Sequence, residues 1–355
     1  MKKRFVVCLA SLVAGLAGLG CKGSGDAASG GEVTLTGAGS TFVNPLFAKW
    51  ISEYKSVDKG AKINYQSVGS GAGVKNITDK TVDFGASDAT LSDAEVAAAK
   101  PPLVHIPTTL GAVAVTYNVA GAPDHLMLTP DVLAGIFMGD IKSWNDPKLA
   151  ELNPNAKLPD QPIGVAYRSD GSGTTAVFTS YLAAVSPGWS SKVGTGKDVH
   201  WLTGTGAKGN DGVANQVLKT PGAIGYVELA YALQTKQPVA SLKNHSGKFV
   251  VPALDAITAA GASAKMPDDL RMSIVDAEGD GVYPISAFTY ALVYSEMPDK
   301  AKATALANFL WWGIHDGQKL GAPLNFAPLP AAVVAKAEAK LKGLTSGGQP
   351  VLSGK

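Results

Sequence analysis

Val43, Leu46, Phe47, Trp50, Ile51 and Tyr54 fall at i, i+3, i+4, i+7 spacing. That period is one face of an amphipathic α-helix, with Asn44 as its N-cap and Pro45 in its first turn. Upstream, Val33 and Leu35 alternate with threonines and read as a short strand. The Gly-Ala-Gly-Ser-Thr-Phe run at 37–42 turns the chain between the two. The same order recurs twice. Residues 62–68 read as a strand, 69–73 as a Gly/Ser turn, and 74–77 as a helix start. Residues 163–167 read as a strand, 169–173 as a turn, and 174–185 as a helix with Phe178, Tyr181, Leu182 and Val185 on one face before Pro187.

Three strand–turn–helix units predict an α/β protein. They also predict a chemistry. A helix N-terminus carries unpaired N–H groups and a positive dipole end. Glycines let that backbone approach a ligand, and Ser or Thr adds hydroxyls. Several such ends facing one point make an anion cradle. Residues 104–117 and 281–294 are apolar, β-prone and far apart in sequence, and are expected to cross together between two domains. Helical patterns follow at 302–312 and 331–341. No fixed-period repeat is present.

The chain has 355 residues with 46% hydrophobic and 17% charged, enough for two domains with a substantial core. Met1–Arg4 is basic and residues 5–19 are apolar, the pattern of a signal peptide over residues 1–20. It ends at Cys21, after Leu19-Gly20, which reads as a bacterial lipidation site. Gly18 is irregular for such a box. Removing residues 1–20 takes three positive charges from the net +2 and leaves −1. A near-neutral mature chain argues against nucleic-acid binding. Of the two cysteines, Cys8 lies inside the signal, so Cys21 has no disulfide partner in the mature chain. Residues 21–31 form a polar, Gly/Ser-rich tether.

The densest polar cluster is Arg168-Ser169-Asp170-Gly171-Ser172-Gly173-Thr174. An Arg fork suits an oxyanion and Asp170 could orient it; the alternative is a capped turn with a surface ion pair. Asp88 follows an apolar strand. It is either the N-cap of a helix at 95–100 or an acceptor for a protonated oxyanion, which phosphate offers and sulfate does not. The acidic turn at 276–281 has Ala287 where a calcium loop needs its bidentate acid, and reads as solvated. No Gly-x-Ser-x-Gly, His-Glu-x-x-His, Cys-x-x-Cys or P-loop is present. His105, His125, His200, His245 and His315 are dispersed. No metal, no cofactor and no catalytic residue is expected.

Residues 36–42, 82–88 and 168–174, Gly209-Asn210-Asp211-Gly212 and Pro221–Glu228 occur in this order. Together they resemble the substrate-binding proteins of the bacterial high-affinity phosphate ABC transporter, over nearly the whole mature chain. The resemblance implies a two-lobed periplasmic-binding-protein fold of type II. Residues 32–110 and 286–355 would form lobe I and residues 111–285 lobe II, closing like a clamp on inorganic phosphate. Thr41, Phe42 (through its amide), Ser70, Asp88, Arg168, Ser172, Gly173 and Thr174 would contact phosphate, with Asp170 bracing Arg168. The implied partners are the transmembrane permease subunits and their cytoplasmic ATPase. The implied location is the periplasm or the outer face of a bacterial membrane, with membrane contact through the N-terminal lipid. Ser40 stands where Ala is frequent, and Tyr167 where some relatives have a basic residue. Other classes stay in view: a phosphatase using Ser70 or Asp88, a surface sensor or adhesin, and a sulfate binder.

Overall fold

The computed structural model describes residues 32–352; the signal, Cys21 and the tether lie outside them. Eight strands form one mixed sheet in the order Ala61–Ser67, Val33–Gly39, Phe84–Ser87, Ser286–Tyr294, Leu103–Asn118, Ala223–Glu228, Gly164–Arg168, Thr205–Ala207. The architecture is α/β and two-lobed. At one end Val33–Gly39 pairs in parallel with Ala61–Ser67 and Phe84–Ser87. At the other, Gly164–Arg168 pairs in parallel with Ala223–Glu228 and Thr205–Ala207. Parallel neighbours need long crossovers, and helices supply them in both lobes.

Leu103–Asn118, 16 residues long, joins the two ends. From Leu103 to Ala112 it pairs antiparallel with Ser286–Tyr294; from Val113 to Asn118 it pairs antiparallel with Ala223–Glu228. Its partner changes between Ala112 and Val113. Every residue of Ser286–Tyr294 is buried, which is why this stretch reads as an apolar run rather than an alternation. The strand expected from 281 begins only at Ser286. Gly281 and Pro284 lie in the preceding turn, where proline has no N–H for a ladder.

The helices of the three strand–turn–helix units start one to four residues earlier than expected. Val43, not Asn44, is the N-cap of the Asn44–Val57 helix, and no side chain of its own caps it. Ser40 Oγ already accepts the amides of Phe42 and Val43 at 3.0 and 3.4 Å, so the turn before the helix does that work. The Ser70–Thr78 helix begins inside the glycine run. Gly69 there has φ +94°, and a Cβ would lie 2.5 Å from Asp170 Oδ2. The Gly173–Val185 helix begins one residue early because Ser172 Oγ caps Thr175 N at 3.0 Å.

Aromatic packing fixes both lobes. Trp50 meets Phe47, Phe309 and Trp312, and its Nε1 donates to Gly317 O at 2.8 Å. In the other lobe Phe178 stacks on Tyr226 with centroids 4.3 Å apart. No helix among the described residues is long and apolar enough to cross a membrane.

Candidate functional site

Four strands end at one place, three from one end of the sheet and a fourth that runs the opposite way from the other end. Val33–Gly39 leads into Ser40, Thr41 and Phe42; Ala61–Ser67 leads to Ser70; Phe84–Ser87 leads to Asp88; Gly164–Arg168 ends on Arg168. Carboxyl ends of parallel strands are where open α/β sheets gather ligands, because the following helices present their N-termini there. The nine residues read from sequence come together at this point.

Arg168 is 2% exposed. Its Nε donates to Asp170 Oδ1 at 2.8 Å and its Nη2 to Asp170 Oδ2 at 2.6 Å. Among the described residues Nη1 has only Thr174 Oγ1, at 3.4 Å. The core holds the Arg168 backbone, since Tyr226 Oη accepts its amide at 3.2 Å. Asp170 also accepts Gly209 N at 3.0 Å. Burial pushes the Asp170 carboxyl up, but the bonds from Arg168, its charge and the Gly209 amide outweigh this and hold it below its ordinary value. The pair is therefore ionised, with one guanidinium edge left toward the cluster.

The hydroxyls have a common polarity. Ser172 Oγ accepts Thr175 N; Thr174 Oγ1 accepts Arg168 Nη1 and, at 3.2 Å, Asn210 Nδ2. Thr41 Oγ1 accepts Asn210 Nδ2 at 2.8 Å and Asn210 N at 3.4 Å. None of these three hydroxyls donates to another described residue. Each oxygen is already used as an acceptor, which leaves each hydroxyl hydrogen without a partner among the described residues. With Arg168 and two helix N-termini, this makes a set of donors, the complement of an oxyanion.

Asp88 is the exception, a buried acceptor among donors. Ser40 Oγ donates to its Oδ1 at 2.6 Å and Thr289 Oγ1 to the same oxygen at 2.8 Å. Ser70 Oγ donates to Oδ2 at 3.2 Å. Burial raises the Asp88 carboxyl above its ordinary value; the Ser40, Thr289 and Ser70 hydroxyls and the Arg168 charge oppose the rise. Asp88 is not a helix N-cap. Ser92 caps the Asp93–Ala98 helix in a reciprocal box with Glu95. Gly173 packs so close that a Cβ would lie 2.4 Å from Ser70 Oγ and 2.5 Å from Asp88 Oδ2. The Phe42 amide lies at the cluster but donates to Ser40 Oγ, so any contact with a ligand would be shared with that bond.

Contacts join the two ends of the sheet across the cluster. Gly71 N donates to Gly171 O at 2.8 Å, Tyr231 Oη to Thr41 O at 2.6 Å, and Lys197 Nζ to Glu95 Oε1 at 3.0 Å. A cavity of about 570 Å³, lined among others by Glu95, Lys197, Ser180 and Phe288, touches the cluster only at Asp88.

Asn210, Thr289, Tyr231 and Glu228 carried no role in the sequence reading. Asn210 is fully buried, and its amide is oriented by Glu228 N donating to Oδ1 at 3.0 Å. A signal was present for two of them: Asn210 lies in the Gly-Asn-Asp-Gly motif, and Thr289 interrupts an apolar strand. The acidic turn at 276–281 holds no metal-type cluster, and no group of three metal-ligating residues occurs among the described residues.

A family model described as a PBP superfamily domain matches residues 24–313. The chain is 41% identical to the phosphate-binding protein PstS of Xylella fastidiosa over 311 residues, 87% of this chain and 85% of that one. It is 42% identical to the phosphate-binding protein PstS of Haemophilus influenzae over 314 residues, 87% of this chain and 92% of that one. Among solved structures, a high-affinity periplasmic phosphate-binding protein (PfluDING) bound with phosphate superposes with TM-score 0.69 at 23% identity, covering 86% of this chain and 93% of that one. The phosphate-binding protein from Stenotrophomonas maltophilia does so with TM-score 0.69 at 22% identity and the same coverages.

Proposed function

The chain belongs to the PBP superfamily and, within it, to the PstS family of phosphate-binding proteins, and from that premise we propose that it captures inorganic phosphate outside the cytoplasmic membrane and hands it to an ABC transporter permease for import. It is a transport receptor rather than an enzyme. The observation that carries the reading is the polarity of the cluster: hydroxyl donors around a buried Arg168, with one carboxylate acceptor.

Phosphate would lie against the remaining edge of Arg168. Thr41, Ser172 and Thr174 would give it hydroxyl hydrogens, and Ser70 would do so by turning from its long bond to Asp88 Oδ2. The amides of Phe42, Gly173 and Thr174 would add backbone donors at a helix start. Asp170 holds the guanidinium plane, so the Arg168 fork would not have to reorient when phosphate binds. Asp88 would accept the proton that phosphate keeps near neutral pH. Sulfate has none to give, and a buried carboxylate facing it would be unmatched, at a cost of several kcal/mol.

Binding would close lobe I (32–110 and 286–355) on lobe II (111–285) about strand crossings near 107–112 and 283–288. The Gly71–Gly171, Tyr231–Thr41 and Lys197–Glu95 contacts support that reading, since each would form on closure. The closed form would dock on the permease, whose cytoplasmic ATPase then drives release. Cys21 would carry the lipid that keeps the receptor at the membrane; Cys21→Ser should then leave the membrane fraction.

Uptake by cells tests the whole reading. Deleting the gene should slow uptake of labelled phosphate at limiting concentration, and the parent gene should restore it. Restoration to the same rate by Arg168→Ala would contradict it.

A further inference from the structure

The two oxygens of Asp88 are not equivalent. Oδ1 receives both short hydroxyl bonds, from Ser40 at 2.6 Å and from Thr289 at 2.8 Å. Oδ2 receives only the long bond from Ser70, at 3.2 Å. It faces the start of the Gly173–Val185 helix, where a Cβ on Gly173 would come within 2.5 Å of it.

Ser40 has little choice of partner. Its oxygen accepts the amides of Phe42 and Val43, which leaves its hydrogen for Oδ1. Thr289 comes from the neighbouring strand, where Tyr290 pairs with Ser87, and is 201 residues away in sequence. The register of its strand against Leu103–Asn118 shifts between Thr289 and Tyr290. Such irregularities re-aim a side chain beside a functional site. The strand is pinned there by Thr108 Oγ1, which donates to Thr289 O at 2.9 Å.

We propose that Ser40 and Thr289 are specificity-determining positioning residues: by occupying Oδ1 they turn Oδ2 toward the ligand and keep Asp88 an anionic acceptor at neutral pH, so that only an oxyanion carrying a proton is matched. This rests on Asp88 as the acceptor of the phosphate proton. Neither residue touches the ligand; both act through Asp88.

The charges around Asp88 leave this work to the hydroxyls. Arg168 favours the anion, but Asp170 already holds two of its nitrogens. Glu228 faces Asp88 from the end of Ala223–Glu228, and Tyr65 from Ala61–Ser67; burial pushes both toward the uncharged form. Glu95 and Lys197 across the adjoining cavity neutralise each other. Burial itself disfavours the anion. Loss of a hydroxyl at Oδ1 therefore lets Asp88 take a proton at higher pH. A protonated Asp88 donates instead of accepting, and sulfate is then tolerated.

The experiment is competition of sulfate against labelled inorganic phosphate from pH 4.5 to 8.5. Every variant is compared with the parent at the same pH, so the titration of phosphate itself cancels. Ser40→Ala and Thr289→Val should each move the pH at which sulfate begins to compete upward by about one unit, a tenfold change in the protonation equilibrium. The double variant should move it further, and Thr289→Ser, which keeps the hydroxyl, should match the parent. A purely structural role would weaken both anions by one factor at all pH and leave the midpoint in place; that result overturns the proposal. Asp88→Asn separates the underlying reading. If it admits sulfate at every pH while Ser40→Ala and Thr289→Val keep the parent midpoint, this proposal alone fails. If Asp88→Asn rejects sulfate like the parent, the role of Asp88 itself is wrong.

Discussion

Asp170 takes two of the three guanidinium nitrogens of Arg168, Nε at 2.8 Å and Nη2 at 2.6 Å, and leaves Nη1 toward the cluster. The charge is thus fixed in direction before a ligand arrives. Only one edge is offered, and its plane is set by a carboxylate two residues along the chain.

Arg168 is the first test of that arrangement. Arg168→Ala should weaken phosphate by about 30-fold to several-thousand-fold, since truncating a buried charge-assisted partner costs about 2–5 kcal/mol. It would also leave Asp170 without its ion pair. Arg168→Lys should recover little, because a point charge cannot bond Asp170 bidentately and still reach the ligand. Calorimetry on both variants decides the matter; near-parent affinity in Arg168→Ala would remove this residue from the site.

Asn210 sets the polarity of two hydroxyls on opposite sides of the cluster, Thr41 and Thr174. Asn210→Ala should weaken phosphate by roughly 5- to 150-fold, the loss of buried hydrogen-bond partners at about 1–3 kcal/mol. Phosphate and sulfate accept from Thr41 and Thr174 alike, so the ratio of their affinities should not move. An altered ratio would mean that Asn210 acts on the ligand proton and not on hydroxyl orientation.

Glu228 makes the stability depend on pH. It is fully buried; Oε2 accepts Ala230 N at 2.8 Å, and Oε1 has no partner among the described residues. Burial holds its carboxyl well above the ordinary value, opposed by the Ala230 amide and reinforced by Asp88. The folded chain therefore keeps a proton that the unfolded chain loses above about pH 4.3. Its contribution is whole below that pH and falls as pH rises toward the folded value, because the native state then binds more protons than the unfolded state. Glu228→Gln keeps the shape without the ionisation. Its stability relative to the parent should rise as pH climbs above about 4.3, by up to about 1.4 kcal/mol per unit. Denaturant unfolding with identical pH slopes for both proteins would contradict this.

Local chemistry made much of the fold readable. The apolar period of Leu46, Phe47, Trp50 and Tyr54 marks a helix because one face packs on the sheet, and all four are buried. The glycine turns were visible because Gly and Ser have few other uses between a strand and a helix. Arg168, Asp170 and Thr174 lie within one turn, so their contacts are local. Helix starts are less readable, since Gly69 and Ser172 cap their helices before any apolar residue marks the period, and the amides ahead of the first helix are held by Ser40 rather than by its N-cap. Least readable were the long-range partners. Asn210 meets Thr41 across 169 residues, and Thr289 meets Asp88 across 201. A helix start set against the opposite lobe brings the first pair together and strand pairing the second, and neither leaves a mark in a local pattern.

The central claim is a donor cage with one acceptor, built for an oxyanion that keeps a proton. Calorimetric titration of the unliganded protein with phosphate and then with sulfate tests it most directly. The account predicts saturable one-to-one binding of phosphate near neutral pH, and for sulfate an affinity weaker by at least about a hundredfold, the least expected from a desolvated, unmatched carboxylate. Sulfate binding as tightly as phosphate, or no saturable phosphate binding at all, would contradict it.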